Sequence, residues 1–244
     1  MARVIPLRSL PVFSIINPPD PDFNFAEGAA FLIDKPKGWS SFDVVKHIRK
    51  CVNLRKVGHA GTLDPMATGL VIVCCGNGTR TISEIQDAAK AYEGKVKFGA
   101  STESYDAETE ITDTASFDHI TKEIVLAALK QHCSGEIAQV PPMYSALKKD
   151  GTRLYKLARK GKEVEREPRK VTIHAARIIS FKLPKVELYI KCSKGTYIRS
   201  IAHDLGKQLN SLGHLSTLRR TAIGDFNVND ALTIDDFDLI FKPQ

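Results

Sequence analysis

The stretch KVTIHAARIISFKLPKVELYIKC, Lys170 to Cys192, decides the fold. Apolar and polar residues largely alternate through Lys170 to Phe181 and again through Lys185 to Cys192, the period of half-buried strands. Only Lys182-Leu183-Pro184 separates the two runs. A parallel pair needs a crossover of a dozen residues or more, so these strands are expected to form an antiparallel hairpin. Working outward, Ala30 to Asp34, Leu70 to Cys75, Tyr92 to Phe98 and Thr221 to Val228 read as further strands. Helical spacing of Val44, Val45, Ile48, Cys51 and Val52, behind a Ser40/Asp43 capping box, predicts a helix. Others are expected near Thr79 to Ala89, Thr121 to His132 and Tyr197 to Leu209, with a short one around Tyr155, Leu157 and Ala158. Strands outnumber β-α-β units, which predicts an α+β fold: a mixed, mainly antiparallel central sheet with flanking helices.

At 244 residues the chain suits one large domain or a domain with a small appendage. Hydrophobic residues at 43% and charged residues at 26% argue against disorder. No apolar run is longer than that of Leu70 to Cys75, six residues and far short of the roughly 20 that span a bilayer. Cys51, Cys74, Cys75, Cys133 and Cys192 are odd in number and form no C-x-x-C pair, so a reducing, cytoplasmic setting without disulfides or a metal is expected. The first 21 residues hold Pro6, Pro11, Pro18, Pro19 and Pro21, and residues 1–28 read as an extended arm before a catalytic domain at 29–244. Of the net charge of +7, a surplus of +6 lies between Lys148 and Lys170, where ten Lys/Arg face four Asp/Glu. The charge is a patch.

The window Gly58-His59-Ala60-Gly61-Thr62-Leu63-Asp64-Pro65-Met66-Ala67-Thr68-Gly69 sits between a predicted helix and a buried strand. Loops on a rigid frame are where catalytic groups concentrate, and this one would present Asp64 and His59. The residues alone leave two readings open: a reactive loop, or a structural turn in which Asp64 precedes Pro65 and His59 is an ordinary surface histidine. Neither an H-E-x-x-H helix nor G-x-S-x-G occurs, which removes the main arguments for a zinc hydrolase or a serine hydrolase. Gly76-Asn77-Gly78-Thr79-Arg80-Thr81 begins like a dinucleotide-binding turn but has Thr81 at the third glycine position.

The window resembles the catalytic motif of the TruB-type tRNA pseudouridine synthases. Four other stretches are similar to that family, in its order: Asp34-Lys35-Pro36-Lys37-Gly38, Gln139 to Lys148, Cys192 to Ser200 and Leu218-Arg219-Arg220-Thr221. The resemblance implies the pseudouridine synthase fold and isomerisation of uridine to pseudouridine at position 55 of the tRNA T-loop, with no cofactor. It implies that Asp64 is the catalytic carboxylate and Arg199 its cationic partner. A buried carboxylate needs such a cation to stay ionised, and guanidinium keeps its charge. Tyr92 matches a tyrosine that stacks on the uracil, at about 1–3 kcal/mol per stacked base. Asp106, Arg159, Leu218 and Lys35 match supporting positions, and His59 matches a wedge that fills space left by flipped nucleotides.

The resemblance also gives the basic segment a task. Residues 139–170 are expected to clamp RNA through Lys148, Lys149, Arg153, Lys160 and Lys162, with Arg80 and Arg219 as further phosphate contacts. The expected partner is the tRNA T-arm, and the protein is expected to be a monomer. The acidic tail after Arg220, with Lys242 its lone cation, is too short for the PUA-like domain of longer relatives. The competing reading, from another class, is a non-catalytic RNA-binding or RNA-folding protein that uses the same patch.

Overall fold

The computed structural model describes residues 9–149 and 151–241; Pro6 and Lys242 lie outside them. Two compact units divide the chain, one holding residues 1–92 with 219–244, the other 93–218. The expected α+β class, with a mixed and mainly antiparallel sheet flanked by helices, holds. No helix among the described residues is long and apolar enough to cross a membrane.

The first unit begins with β1 (Val12–Phe13), β2 (Ala29–Lys35), α1 (Ser41–Cys51), β3 (Val57–His59), β4 (Thr68–Cys75) and α2 (Ile82–Asp87). Strand β4 is its centre: β2 pairs antiparallel along one edge, and β3 takes part of the other. Leu70 to Cys75 are therefore fully buried, as a continuous apolar run on a two-sided strand should be. The capping box of α1 forms: Asp43 N donates to Ser40 Oγ at 3.1 Å and Ser40 N to Asp43 Oδ2 at 3.0 Å. Val44, Val45 and Ile48 face the core. Residues 79–89 are not one helix; a 3-10 helix covers Gly76–Thr81 before α2. Gly76, where the 3-10 helix begins, is closely packed: a Cβ there would lie 2.3 Å from the Phe25 carbonyl oxygen. That crowding also leaves no phosphate cradle over Gly76.

Strand β5 (Lys90–Phe98) runs into the second unit, which continues with β6 (Ala100–Thr102), β7 (Ile111–Thr114), α3 (Lys122–His132), β8 (Gly135–Gln139), β9 (Lys148–Lys149), β10 (Thr152–Arg153), α4 (Leu154–Ala158), β11 (Arg169–Lys182), β12 (Lys185–Cys192) and α5 (Ile198–Gln208). The hairpin of β11 and β12 is antiparallel, with irregularities between Ile173 and Ala175 and between Ile178 and Ser180. Strand β13 (Gly213–Ile223) then leads back into the first unit. There it pairs parallel with β4, Arg219 opposite Thr68 and Arg220 opposite Gly69. The strand expected over Thr221 to Val228 is thus corrected: β13 starts eight residues earlier and ends at Gly224-Asp225. Gly224, at φ +55°, opens a two-residue turn into β14 (Phe226–Asn227). Helix α6 (Ile234–Phe241) closes the described chain.

An aromatic cluster ties both chain ends to β2. Phe13 lies 5.7 Å from Phe31, Phe25 lies 5.4 Å from Phe31, and Phe237 approaches Phe31 edge-on at 5.2 Å, ring centre to ring centre. Phe13 and Phe25 of the Pro-rich arm are buried there.

One buried histidine of the second unit predicts a pH response. His203 stacks on Tyr105 at 3.8 Å, and burial, with Lys207 adding to it, pushes its pKa from 6.5 down to about 4. Between those values the unfolded chain takes up a proton that the native ring refuses, so stability falls as pH drops from about 6.5 towards 4. By pH 5 the loss is expected to be about 2 kcal/mol. Urea midpoints at pH 7 and pH 5 should show a smaller difference in His203→Phe than in the parent chain; an equal difference would remove His203 as the cause.

Candidate active site

In the first unit Asp64 sits in the loop between β3 and β4, half-buried. Ala67 N donates to the Asp64 carbonyl at 3.1 Å, closing a turn over Pro65 and Met66 in which proline takes the second position, where its fixed φ belongs. The residues on either side are anchored. Leu63 exchanges two hydrogen bonds with Ser41, its N donating to Ser41 Oγ at 2.8 Å and its carbonyl accepting at 3.2 Å. The Pro65 carbonyl accepts from Gly38 N at 2.8 Å and from Lys35 Nζ at 3.4 Å. Lys35 is fully buried, and its ammonium also donates to the carbonyls of Trp39 at 2.6 Å and Pro36 at 3.0 Å. It therefore joins the turn after β2 to the turn that carries Asp64.

Arg220 holds the same loop from β13. It is 1% exposed, and its guanidinium donates to the carbonyls of Leu70 at 2.7 Å, Gly61 at 3.2 Å and Thr62 at 3.3 Å. Gly69 makes the approach feasible: at φ +107°, a Cβ there would sit 2.3 Å from the Arg220 carbonyl oxygen. The loop is thus fixed at residues 61, 62, 63, 65 and 70, with Asp64 flanked directly by the anchors at 63 and 65. Neither Arg220 nor Ser41 was singled out from the sequence. The available signal for Arg220 was its place two residues beyond Leu218, on the buried face of a strand.

His59 is half-buried on β3, and its Nδ1 is buried without a hydrogen-bond partner. Burial first, then the Arg220 cation, lowers its pKa, so the ring is neutral at neutral pH and suits a steric role better than a cationic one. Tyr92 lies on β5 in register with buried Gly94, Val96 and Phe98, yet is itself half-buried, so it is not an interior strand residue. Arg219 forms a two-pronged ion pair with Asp34, at 3.0 and 2.7 Å. Arg80 is half-buried at the end of the 3-10 helix.

The second unit has its own buried polar cluster. Arg199, near the start of α5, is 4% exposed and donates to the carbonyls of Ser104 at 3.0 Å and Tyr144 at 2.9 Å. Its Nε lies 3.4 Å from Oδ2 of fully buried Asp106. Asp106 Oδ1 accepts from Ser104 Oγ at 2.6 Å and from Glu108 N at 2.9 Å. The structure brings these two predicted residues together although 93 positions separate them in sequence. Preceding Asp106, Tyr105 adopts φ +63°, a strained left-handed conformation for an aromatic residue. Leu218 is buried and packs against Gly94, where a Cβ would be 3.3 Å from its Cδ1. Arg159 is exposed after α4, its guanidinium 5.6 Å from the Tyr155 ring centre. Lys148 and Lys149 on β9, Arg153 on β10, and Lys160 and Lys162 beyond α4 are all exposed. Lys149 Nζ donates to the Glu165 carbonyl at 2.7 Å, which links the two ends of the basic segment.

Comparison with known proteins gives this geometry a context. Residues 49–198 match the model of the TruB family pseudouridylate synthase N-terminal domain, and residues 199–242 match the tRNA pseudouridylate synthase B C-terminal domain. The chain is 48% identical over 221 residues to the tRNA pseudouridine synthase B of Flavobacterium johnsoniae, covering 88% of this chain and 96% of that protein. With the Bacteroides fragilis protein of the same name identity is 47% over 215 residues, covering 86% and 92%. Among solved structures, a Cbf5-Nop10-Gar1 complex contains a chain that superposes with a TM-score of 0.69 at 26% identity, over 93% of this chain and 59% of that one. This chain therefore belongs to the TruB family of pseudouridylate synthases, which are isomerases.

Proposed function

We propose that this chain isomerises uridine 55 in the T-loop of tRNA. Asp64 starts cleavage of the bond between ribose C1′ and uracil N1; the freed uracil turns, and a bond forms between C1′ and C5. The hydrogen on C5 is lost and N1 gains one, so substrate and product are isomers and no donor is consumed. The observation that carries the reading is the anchored loop, which fixes a carboxylate between Leu63 and Pro65 before any RNA arrives. Such preorganisation is what transition-state stabilisation requires of a protein group.

We assign Tyr92 to stacking on the extracted uracil, Arg199 to supplying a fixed cation to the reaction, and Asp106 to orienting that arginine. Extraction of a base from a folded loop costs a few kcal/mol, which a stacking ring offsets in part. Lys35 supports the Asp64 turn. Leu218 lines the uracil pocket, His59 acts as a wedge, and Arg159 assists the Arg199 network. The protein acts as a monomer in the cytoplasm.

The site assignment is tested with a T-arm hairpin. Pseudouridine should form at position 55 of the hairpin and fail to form when that uridine is replaced by cytidine; modification at another position instead would overturn the T-loop assignment. The clamp has a separate test. Replacing Lys148, Lys160 and Lys162 by glutamine should weaken hairpin binding and lower the slope of log K against log salt by about 2, at roughly 0.7–0.9 per phosphate contact. An unchanged slope would make the segment a solvated face.

A further inference from the structure

Among the described residues outside the RNA-modifying machinery, one group of side chains has donors suited to a transition metal. His47 and Cys51 are four residues apart on α1 and so share a helix face, and Asp238 reaches them from α6. His47 Nε2 lies 2.6 Å from Asp238 Oδ1, while Cys51 Sγ lies 3.7 Å from that nitrogen and 3.9 Å from that oxygen. We propose that His47, Cys51 and Asp238 form a zinc-type metal site that fastens α6 to α1.

The donor set is the first support. Imidazole, thiolate and carboxylate are the zinc ligands, and three protein donors leave a fourth position for water. The separations are the second. With bonds of about 2.3 Å to sulfur and about 2.0–2.2 Å to nitrogen and oxygen, tetrahedral ligands stand roughly 3.3–3.6 Å apart. Both sulfur separations are already within a few tenths of an ångström of that range. Only the His47–Asp238 pair must open, from its hydrogen-bonded 2.6 Å. On binding, Cys51 releases its thiol proton to solvent, and His47 binds through the Nε2 lone pair with its proton on Nδ1. Side-chain exposures of 18% for His47 and 22% for Asp238 leave a path for the ion. Three of the other thiols are poor competitors: burial pushes Cys74 up to about 12 and Cys75 and Cys133 up to about 11.

The chain carries its own reporter, because its single tryptophan, Trp39, meets the His47 ring edge-on at 5.6 Å. The full chain, stripped with a chelator, is titrated with Co²⁺ alone. One equivalent should produce a thiolate-to-cobalt charge-transfer band and quench Trp39 emission, and Zn²⁺ should then bleach the band. Cys51→Ser should abolish the band, and Asp238→Asn should weaken cobalt binding by at least about tenfold. As a check independent of variant folding, Zn²⁺ should raise the Tm of the parent chain. Absence of the band and of the Tm rise in the parent, or a band that survives Cys51→Ser, would overturn the proposal.

Discussion

Asp64→Asn is expected to leave the chain folded and able to bind T-arm RNA while lowering pseudouridine formation by at least about a thousandfold, near 4 kcal/mol of barrier. Asparagine matches aspartate in shape but carries no negative charge and accepts no proton at neutral pH. The anchors of the loop run through the backbone of residues 61, 62, 63, 65 and 70, which the substitution leaves in place. Binding and chemistry should therefore separate. Single-turnover conversion of the hairpin measures the second, and a gel-shift titration the first. Conversion within tenfold of the parent would transfer the catalytic role to another residue. Equal loss of binding and conversion would make Asp64 an RNA contact.

Arg220→Met should be the most destabilising single change in the first unit. It removes a buried cation whose guanidinium satisfies the carbonyls of Leu70, Gly61 and Thr62, and methionine offers them nothing. Hydrogen bonds from a charged donor are worth about 1.5–3 kcal/mol each, and stripping a buried polar network costs about 3–5 kcal/mol once relaxation is allowed. For a chain of this size that is a fall in Tm of roughly 10 °C. Conversion should also slow at a temperature where the variant is fully folded, because the Asp64 loop loses three of its fastenings. The neighbouring Arg219→Met is the control: its pairing with Asp34 is 39% exposed on the arginine side, and such pairs contribute about 0–1 kcal/mol. Equal midpoints for the two variants would refute the role given to Arg220.

The hairpin of β11 and β12 was legible because both strands largely alternate and their loop is short. Helix α1 was legible because its cap and its apolar stripe agree. Strand β13 was not, because His214, Ser216 and Thr217 interrupt its apolar pattern. Two of those polar side chains are used inside the fold, His214 bonding the Ala100 carbonyl at 3.0 Å and Ser216 donating to the Lys95 carbonyl at 2.9 Å. Strand β8, mostly exposed at the sheet edge, carries no apolar run to announce it. In the site, the Asp64 loop stood out for its glycines and proline. Arg220 lies in a family-like stretch, but its structural role was not legible there because an arginine ordinarily marks a surface. The closeness of Asp106 to Arg199 depends on long-range topology that no local spacing encodes.

The division of the chain has a consequence for its synthesis. Residues 93–218 are continuous, so every residue of the second unit is made before residue 219. The first unit is interrupted, since it also needs β13 beyond residue 218, β14 and α6, which are made after the second unit. The arginine that locks the Asp64 loop arrives only with that later segment. A chain stopped between the two segments thus carries its basic segment but lacks the arginine that fixes the carboxylate loop, and order of translation places the shaping of that loop after the making of residues 148–170.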